Sequence, residues 1–422
     1  MELSSPYALI IGSSVILILS FFFGEVSKKT SVPSVLMLII LGILVNVGLK
    51  GLGIANIDFS SILEILGIVG LIMIVLEAAL ELKLTKDKIA PISISFAIAL
   101  IGLLLSIWFT AEILKYFIEG MDTLHAWIYA TPLSILSSAI IIPSVLHLRG
   151  DKKEFHIYES TFSDILGIMV FYFLTSKLPA VDGVEHGGGG FIAFVLTTIL
   201  TIVLSLFFSY VVILIFQRVK SDAKQFLLLS VLLLLYSLGK LMHLSSLIII
   251  LIFGLVIANM NLFFQGPLKK WLDKVKANDI YHGLHVVTLE SAFVVRTFFF
   301  VIFGITIVFS SLASWSVVGV SALCLLVIYL VRFLILRVSL GTDITPQLFV
   351  APRGLITVLL FNAIPATAQV PGFSDGILLF VIIGTSLIMT AAMIADKKRA
   401  DKAIEKTNAL PVADMKWKAP DL

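Results

Sequence analysis

Cysteine and charge are both scarce in this chain. Its 422 residues include one cysteine, Cys324, and only 14% of them are Asp, Glu, Lys or Arg, whereas soluble domains carry about 25%. A single cysteine excludes a disulfide framework and a cysteine-ligated metal site. The formal net charge of +3 is too small to indicate nucleic-acid binding. The charged residues are also too few to cover the two or three soluble domains that this length would form, which excludes a soluble protein.

Hydrophobic residues are abundant instead. They make up 59% of the chain, and the mean hydropathy is +1.09. They occur in long runs such as Val35–Val45, Phe226–Leu238 and Phe298–Phe309. The first run, Tyr7–Phe23, has no basic segment before it and no small-residue cleavage site after it, so we interpret it as a retained span. The sequence therefore predicts an all-α, polytopic membrane protein, which we expect in a bacterial inner membrane.

Thirteen segments approach the roughly 20 apolar residues that a bilayer-spanning helix needs. They are residues 6–24, 31–49, 61–82, 91–116, 124–147, 155–177, 191–217, 225–241, 244–262, 285–309, 315–338, 345–369 and 373–395. Sixteen Lys and Arg residues lie at the ends of odd-numbered segments or in the loops after them, and four lie at the ends of even-numbered segments or in the loops after them. Because cytoplasmic loops carry the excess of Lys and Arg, this bias predicts an extracellular N-terminus. A membrane domain of residues 1–395 would then be followed by a short cytoplasmic tail, residues 396–422.

The fifth and twelfth segments contain residues that interrupt helices. These residues are Thr131, Pro132, Ser134, Ser137, Ser138 and Pro143 in the fifth, and Pro346, Pro352, Arg353, Gly354, Asn362 and Pro365 in the twelfth. Interrupted helices at corresponding positions of two halves are typical of a transport site between inverted repeats. The two segments are seven apart in order, so they run in opposite directions, as inverted repeats require. The alternative is that Pro and Gly are simply frequent in membrane helices.

One aspartate, Asp164, lies near the middle of a predicted span. A charge at that depth costs at least ~2.5–3.5 kcal/mol, which makes it a functional candidate. A carboxylate that holds either a proton or a small cation, but not both, is sufficient chemistry for ion exchange. The alternative is a structural aspartate that caps Ser163 or a neighbouring backbone group.

Other charged residues lie inside the predicted spans. Glu159 is five residues before Asp164, about 140° away around a helix, so we expect the two acids to have different neighbours and roles. We expect Arg332, at a similar depth in the eleventh segment, to form a structural ion pair with Glu159; alternatively, each side chain extends separately to the interface. Glu290 and Arg296 do not share a helix face, so each needs a partner elsewhere.

Several motifs resemble the monovalent cation/proton antiporter superfamily, which includes the sodium/proton exchangers. The sequence Glu-Ser-Thr-Phe-Ser-Asp of Glu159–Asp164 is similar to the Glu-Ser-x-x-Asn-Asp signature of the exchanger-like branch. Ala351–Gly354 resembles the Pro-Arg-Gly that opens the second broken helix of that branch. Val32–Val35 and Leu76–Leu82 are similar to parts of its second and third spans. The resemblance extends over nearly all of the membrane portion.

This resemblance implies an architecture and roles for several residues. It implies thirteen spans with crossed, discontinuous helices five and twelve, an ion bound by Asp164, and an ion pair between Glu159 and Arg332. It also implies a homodimer. The dimerisation part would consist mainly of spans 1–3 and 8–10, and the ion-translocating part mainly of spans 4–6 and 11–13.

Two departures from the family pattern concern the ion. Ser163 replaces the usual Asn, and Ser137-Ser138-Ala139 replaces the usual Thr-Asp-Pro, so an acidic residue is missing. With one central carboxylate, we expect electroneutral exchange of one cation for one proton. The expected ion-binding residues are Asp164, Ser163, Ser137 and Ser138, and the expected secondary residues of the broken helices are Thr131, Pro132, Arg353 and Gly354.

The predicted function is therefore a secondary antiporter that exchanges Na⁺, K⁺ or Li⁺ for H⁺ by alternating access, without a cofactor. The runner-up is a potassium-efflux-type transporter or a channel-like relative regulated by a separate subunit. A carrier of neutral solutes on the same fold is a further alternative, but transport of a neutral solute would give Asp164 no cation to exchange for its proton. An enzyme is not expected, because an intramembrane aspartyl protease needs two facing aspartates and only Asp164 is central.

Overall fold

The structure, a computed structural model, describes most of the chain. The described residues are 6–30, 32–51, 60–84, 88–145, 148, 150–178, 191–221, 223–242, 244, 246–265, 270–271, 273–306, 314–341 and 343–408. All regular elements within these ranges are helices. Helices satisfy their backbone hydrogen bonds internally, as a membrane segment must, because lipid offers no partners.

The helices follow the predicted apolar segments closely. The first seven are α1 (Pro6–Thr30), α2 (Ser34–Gly51), α3 (Ser60–Glu81), α4 (Ile89–Phe117), α5 (Thr123–Ser134), α6 (Ser138–Ser144) and α7 (Gly150–Thr175). They are followed by α8 (Phe191–Phe216), α9 (Lys224–Leu241), α10 (Ser246–Ala258), α11 (Met260–Phe263), α12 (Lys274–Thr306), α13 (Trp315–Leu340), α14 (Leu355–Asn362) and α15 (Asp375–Asn408). Helix α15 extends well into the predicted tail, and residues 409–422 lie outside the described residues.

Ten helical segments of the described chain are long and apolar enough to cross a membrane, with α5 and α6 counted as one segment. Large apolar side chains such as Ile18, Phe21 and Phe22 on α1 are exposed, as expected for a lipid-facing helix. The other three predicted spans correspond to α3, to the shorter apolar helix α10, and to an interrupted segment that contains α14. The chain is thus a multi-pass membrane protein, while the count of thirteen and the orientation of its termini stay predictions.

The helices pack in two groups. In the first group, which comprises α1–α3, α8–α10 and α12, helices α2 and α3 lie along α12, and α10 packs against α3, α8 and α9. In the second group, which comprises α4–α7 and α13–α15, helix α4 contacts α5, α7 and α13, and α13 contacts α15. Helix α14 contacts α5 and α7 and also reaches α3 of the first group. The candidate site lies in the second group, close to this boundary.

The first group contains a direct backbone contact between α2 and α12. Gly42 faces Gly304, and a Cβ atom on Gly42 would overlap the carbonyl oxygen of Val301. A Cβ atom on Gly304 would likewise overlap the carbonyl oxygen of Ile39. Small residues permit this close approach of two membrane helices, so the glycine pair fixes how α2 and α12 pack.

Both segments that were predicted to be interrupted contain a stretch without helical structure. Helix α5 ends at Ser134 and α6 begins at Ser138, while Val350–Gly354 precede α14 in non-helical backbone. Pro352 contributes to the second interruption, because proline disfavours helical geometry at the residue before it. The two interruptions touch, since the N–H of Ser137 donates to the carbonyl of Pro352 at 2.9 Å.

Candidate functional site

Asp164 lies on α7 beside the interruption between α5 and α6. Its side chain is buried, with 2% exposure, and neither carboxylate oxygen has a hydrogen-bond partner among the described residues. The hydroxyl and the backbone N–H of Ser138 lie beside it, without the geometry of an ordinary hydrogen bond. A buried carboxylate that lacks such partners is costly. The arrangement therefore favours a carboxyl group that takes a proton or a cation as its partner.

Two further buried hydroxyl groups, one at the interruption and one on α7, also lack partners among the described residues. They are Ser137 Oγ, at the interruption, and Thr161 Oγ1 on α7. Thr161 precedes Asp164 by three residues, so both side chains lie on neighbouring positions of one helix face. Oxygen atoms are the ligands that hard cations prefer. Thr161 was not selected from the sequence, although its spacing from Asp164 was a usable signal.

Ser163, one of the expected ion-binding residues, has a hydrogen-bond partner in the interruption. Its Oγ accepts a hydrogen bond of 3.0 Å from the backbone N–H of Leu136. Leu136 lies in the non-helical stretch, where a buried N–H has no helical acceptor and needs another partner. In this structure Ser163 therefore stabilises the interruption and is not hydrogen-bonded to Asp164.

Glu159 and Arg332 lie together, and both side chains are buried. Arg332 donates from Nη1 to Glu159 Oε1 at 2.7 Å and from Nη2 to Oε2 at 2.9 Å. The same guanidinium donates to the carbonyls of Gln347, Leu348 and Val350. A bidentate pair of this kind is strong and directional. It connects α7 and α13 to the backbone that leads into α14.

Arg353 is buried at the meeting point of the two interruptions. Its Nε donates to the carbonyl of Leu133 at 3.0 Å and its Nη2 to that of Ser134 at 3.1 Å, while Nη1 donates to its neighbour Ala351. The last carbonyls of a helix have no N–H donor within that helix. Arg353 therefore supplies hydrogen bonds and positive charge to the end of α5.

The remaining secondary residues are part of the same two interruptions. Thr131 Oγ1 donates to the carbonyl of Trp127 within α5, and Pro132 lies in the last turn of α5. Gly354 lies so close to Ser137 that a Cβ atom there would overlap the serine side chain. These residues thus shape the backbone around the carboxylate and make no hydrogen bond to its oxygens.

Comparison with known proteins identifies the family. The family described as "Sodium/hydrogen exchanger, transmembrane" matches residues 15–395. The chain belongs to this sodium/hydrogen exchanger family. This confirms the family that was predicted from the motifs around Glu159–Asp164, and it shows a transporter family rather than an enzyme class.

Solved structures of an antiporter have a similar fold. The structure of the sodium proton antiporter MjNhaP1 from Methanocaldococcus jannaschii at pH 8 has a TM-score of 0.67 at 19% identity, covering 94% of this chain and 99% of that chain. An electron microscopy map of the same antiporter has a TM-score of 0.61 at 19% identity, covering 98% and 100%. At this level of identity the likeness concerns the fold. No curated protein matches the chain significantly.

A second charged pair in this exchanger-family chain was not predicted. Arg296 on α12 donates from Nη2 to Glu77 Oε2 on α3 at 2.9 Å, and from Nη1 to the carbonyl of Ala139 on α6 at 3.1 Å. The sequence indicated that Arg296 needs a partner outside its own helix, but it did not show which one. The two residues of the pair are 219 positions apart, and only the packing of α3 against α12 brings them together.

Proposed function

We propose that this protein exchanges Na⁺, or K⁺ or Li⁺, for H⁺ across the membrane, one for one, with Asp164 binding the proton and the cation in turn. The observation that carries this proposal is the buried carboxylate of Asp164, which has no hydrogen-bond partner among the described residues. Glu159, the other acid of the motif, is already neutralised by Arg332. Of these two buried acids, Asp164 is therefore the one that is available to a transported ion.

The cation would be bound by oxygen atoms. Asp164 supplies the charge, and the hydroxyl groups of Ser138, Ser137 and Thr161 supply neutral oxygens, since the last two are buried without partners among the described residues. Ser163 contributes indirectly, because it holds the backbone at Leu136 from which this site is built. Binding of a proton to Asp164 removes the charge that attracts the cation, so the two ligands compete.

Alternating access requires two bodies that move relative to each other. We assign the fixed, dimer-forming body to the first group of helices and the ion-carrying body to the second group. The fifth and twelfth segments, each with its interruption, then form two crossed, discontinuous helices. This proposal includes thirteen spans, an extracellular N-terminus, a cytoplasmic C-terminus, a homodimer and location in a bacterial inner membrane.

Electroneutral exchange gives a direct test in proteoliposomes. We expect Na⁺, K⁺ or Li⁺ gradients to move protons at a rate that does not depend on an imposed membrane potential of either sign, because no net charge crosses the membrane. The potential is set with a lipophilic ion, so that no transported cation is varied. A rate that changes with the sign of the potential would show electrogenic exchange, and an absence of cation-dependent proton movement would contradict antiport altogether.

A further inference from the structure

Arg296 contacts both groups of helices. Its pairing with Glu77 joins α12 to α3, and both of these helices belong to the first group. Its bond to the Ala139 carbonyl reaches α6, which belongs to the second group. Both charged side chains are largely buried, with 17% exposure each, so solvent screens these contacts only weakly.

The carbonyl that accepts this bond lies close to the candidate ion site. Ala139 follows Ser138, whose hydroxyl and N–H lie beside the Asp164 carboxylate. Arg296 thus holds the backbone next to an ion ligand from a helix in the opposite group. Since Glu77 balances the charge of Arg296, the guanidinium can hold this backbone without a net positive charge that would repel a cation.

We propose that Arg296 is a positioning residue whose bond to the Ala139 carbonyl stabilises one of the two access states and so sets the equilibrium between them. This inference rests on the proposed function, because only alternating access supplies two such states. Glu77 fixes the guanidinium to the first group, so a displacement of α6 relative to α12 must break the bond to Ala139.

The chemistry of the contact explains why it is sensitive to such a displacement. At another boundary contact, the Leu359 side chain of α14 lies against Gly67 of α3, and an apolar contact of this kind depends little on direction. A charge-assisted hydrogen bond depends instead on distance and angle. A contact that exists in just one of two states shifts the equilibrium between them by the full free energy of that contact.

The variant Arg296→Gln tests this role, because glutamine carries no charge and is too short to reach both partners. We expect it to change the ratio of the two states by roughly tenfold or more, the effect of losing one charge-assisted hydrogen bond. Arg296→Lys keeps the charge and three donors, so we expect it to restore most of the wild-type ratio. Arg337→Gln is the matched control, since the hydrogen bond of Arg337 within the described part of the chain is local, to the Gly341 carbonyl at the end of α13.

Two readouts separate this role from a merely structural one. The first is the distance distribution between spin labels at Val275→Cys on α12 and Val338→Cys on α13, both highly exposed positions, in a Cys324→Ser background. The second is the apparent cation affinity from each face, measured in right-side-out and everted vesicles. The fraction of protein that can bind a cation from one face rises as the fraction that can bind it from the other face falls. The two apparent affinities should therefore change in opposite directions in Arg296→Gln.

An unchanged distance distribution together with an unchanged ratio of the two affinities in Arg296→Gln would overturn the inference. If that variant does not fold, Glu77→Gln replaces it, since this change loosens the anchor of Arg296 and should shift the ratio in the same direction. A wild-type protein without cation–proton exchange would refute the proposed function. The spin-label distances would still report whether Arg296 holds the two groups together.

Discussion

Replacing Asp164 with asparagine should abolish cation-dependent proton movement, leaving the rate of protein-free liposomes. Asparagine has nearly the same size, but it neither exchanges a proton nor provides the negative charge that a cation requires. The measurement is the fluorescence dequenching of a pH-gradient probe in proteoliposomes after addition of Na⁺, K⁺ or Li⁺. The variant should remain folded but should lose any cation-dependent rise in melting temperature, because that rise depends on ligand binding.

Asp122→Asn is the matched control for this substitution. Asp122 caps the start of α5, where its exposed side chain accepts a 2.8 Å hydrogen bond from the N–H of His125. Asparagine is an equally good cap, so exchange and stability should stay at the wild-type level. Full exchange by Asp164→Asn would show that the ion is bound elsewhere.

Truncation of Arg332 to alanine should destabilise the protein strongly. Removing one partner of a buried ion pair leaves the other charge unpaired, which costs about 3–5 kcal/mol. The carbonyls of Gln347 and Val350 lose their donor in the same variant. We expect a lower melting temperature and lower expression, with a much smaller change in cation affinity, when both are measured on purified protein.

Two further variants separate stability from ion binding. Arg337→Ala removes an exposed arginine and should change stability by no more than about 0.5 kcal/mol. Glu159→Gln combined with Arg332→Met removes both charges and should recover part of the stability lost in Arg332→Ala, because no buried charge remains unpaired. A normal melting temperature of Arg332→Ala with a large loss of cation affinity would reverse the roles assigned to Glu159 and Asp164.

The sequence predicted those features that depend on local chemistry. Long apolar runs show where the helices lie, because a segment in lipid must satisfy its backbone hydrogen bonds internally and therefore forms a helix. The interruptions of the fifth and twelfth segments were also predictable, since residues such as Pro132 and Pro352 act on the backbone beside them. The contact between Glu159 and Arg332 was expected from similar depth and from the family resemblance, and the two side chains do meet.

Features that depend on packing between distant segments were not predictable. Nothing local marks Glu77 as the partner of Arg296, since their contact requires α3 and α12 to lie side by side. The hydrogen bond from the Leu136 N–H to Ser163 was not predictable either, because it depends on how α7 packs against the non-helical stretch. The spacing of Thr161 from Asp164 was a signal in the sequence, but only the packing shows that its hydroxyl is buried without a partner among the described residues.

The measurement closest to the proposed chemistry is the number of protons released when a cation binds. Purified protein in weak buffer is titrated with Na⁺, K⁺ or Li⁺ while a pH indicator records released protons and calorimetry records binding. If one carboxylate holds either ligand, the binding cation should release up to one proton from wild-type protein, with the yield falling as the pH rises and Asp164 becomes ionised beforehand. Cation binding without proton release at any pH, or release that persists in Asp164→Asn, would contradict exchange at Asp164.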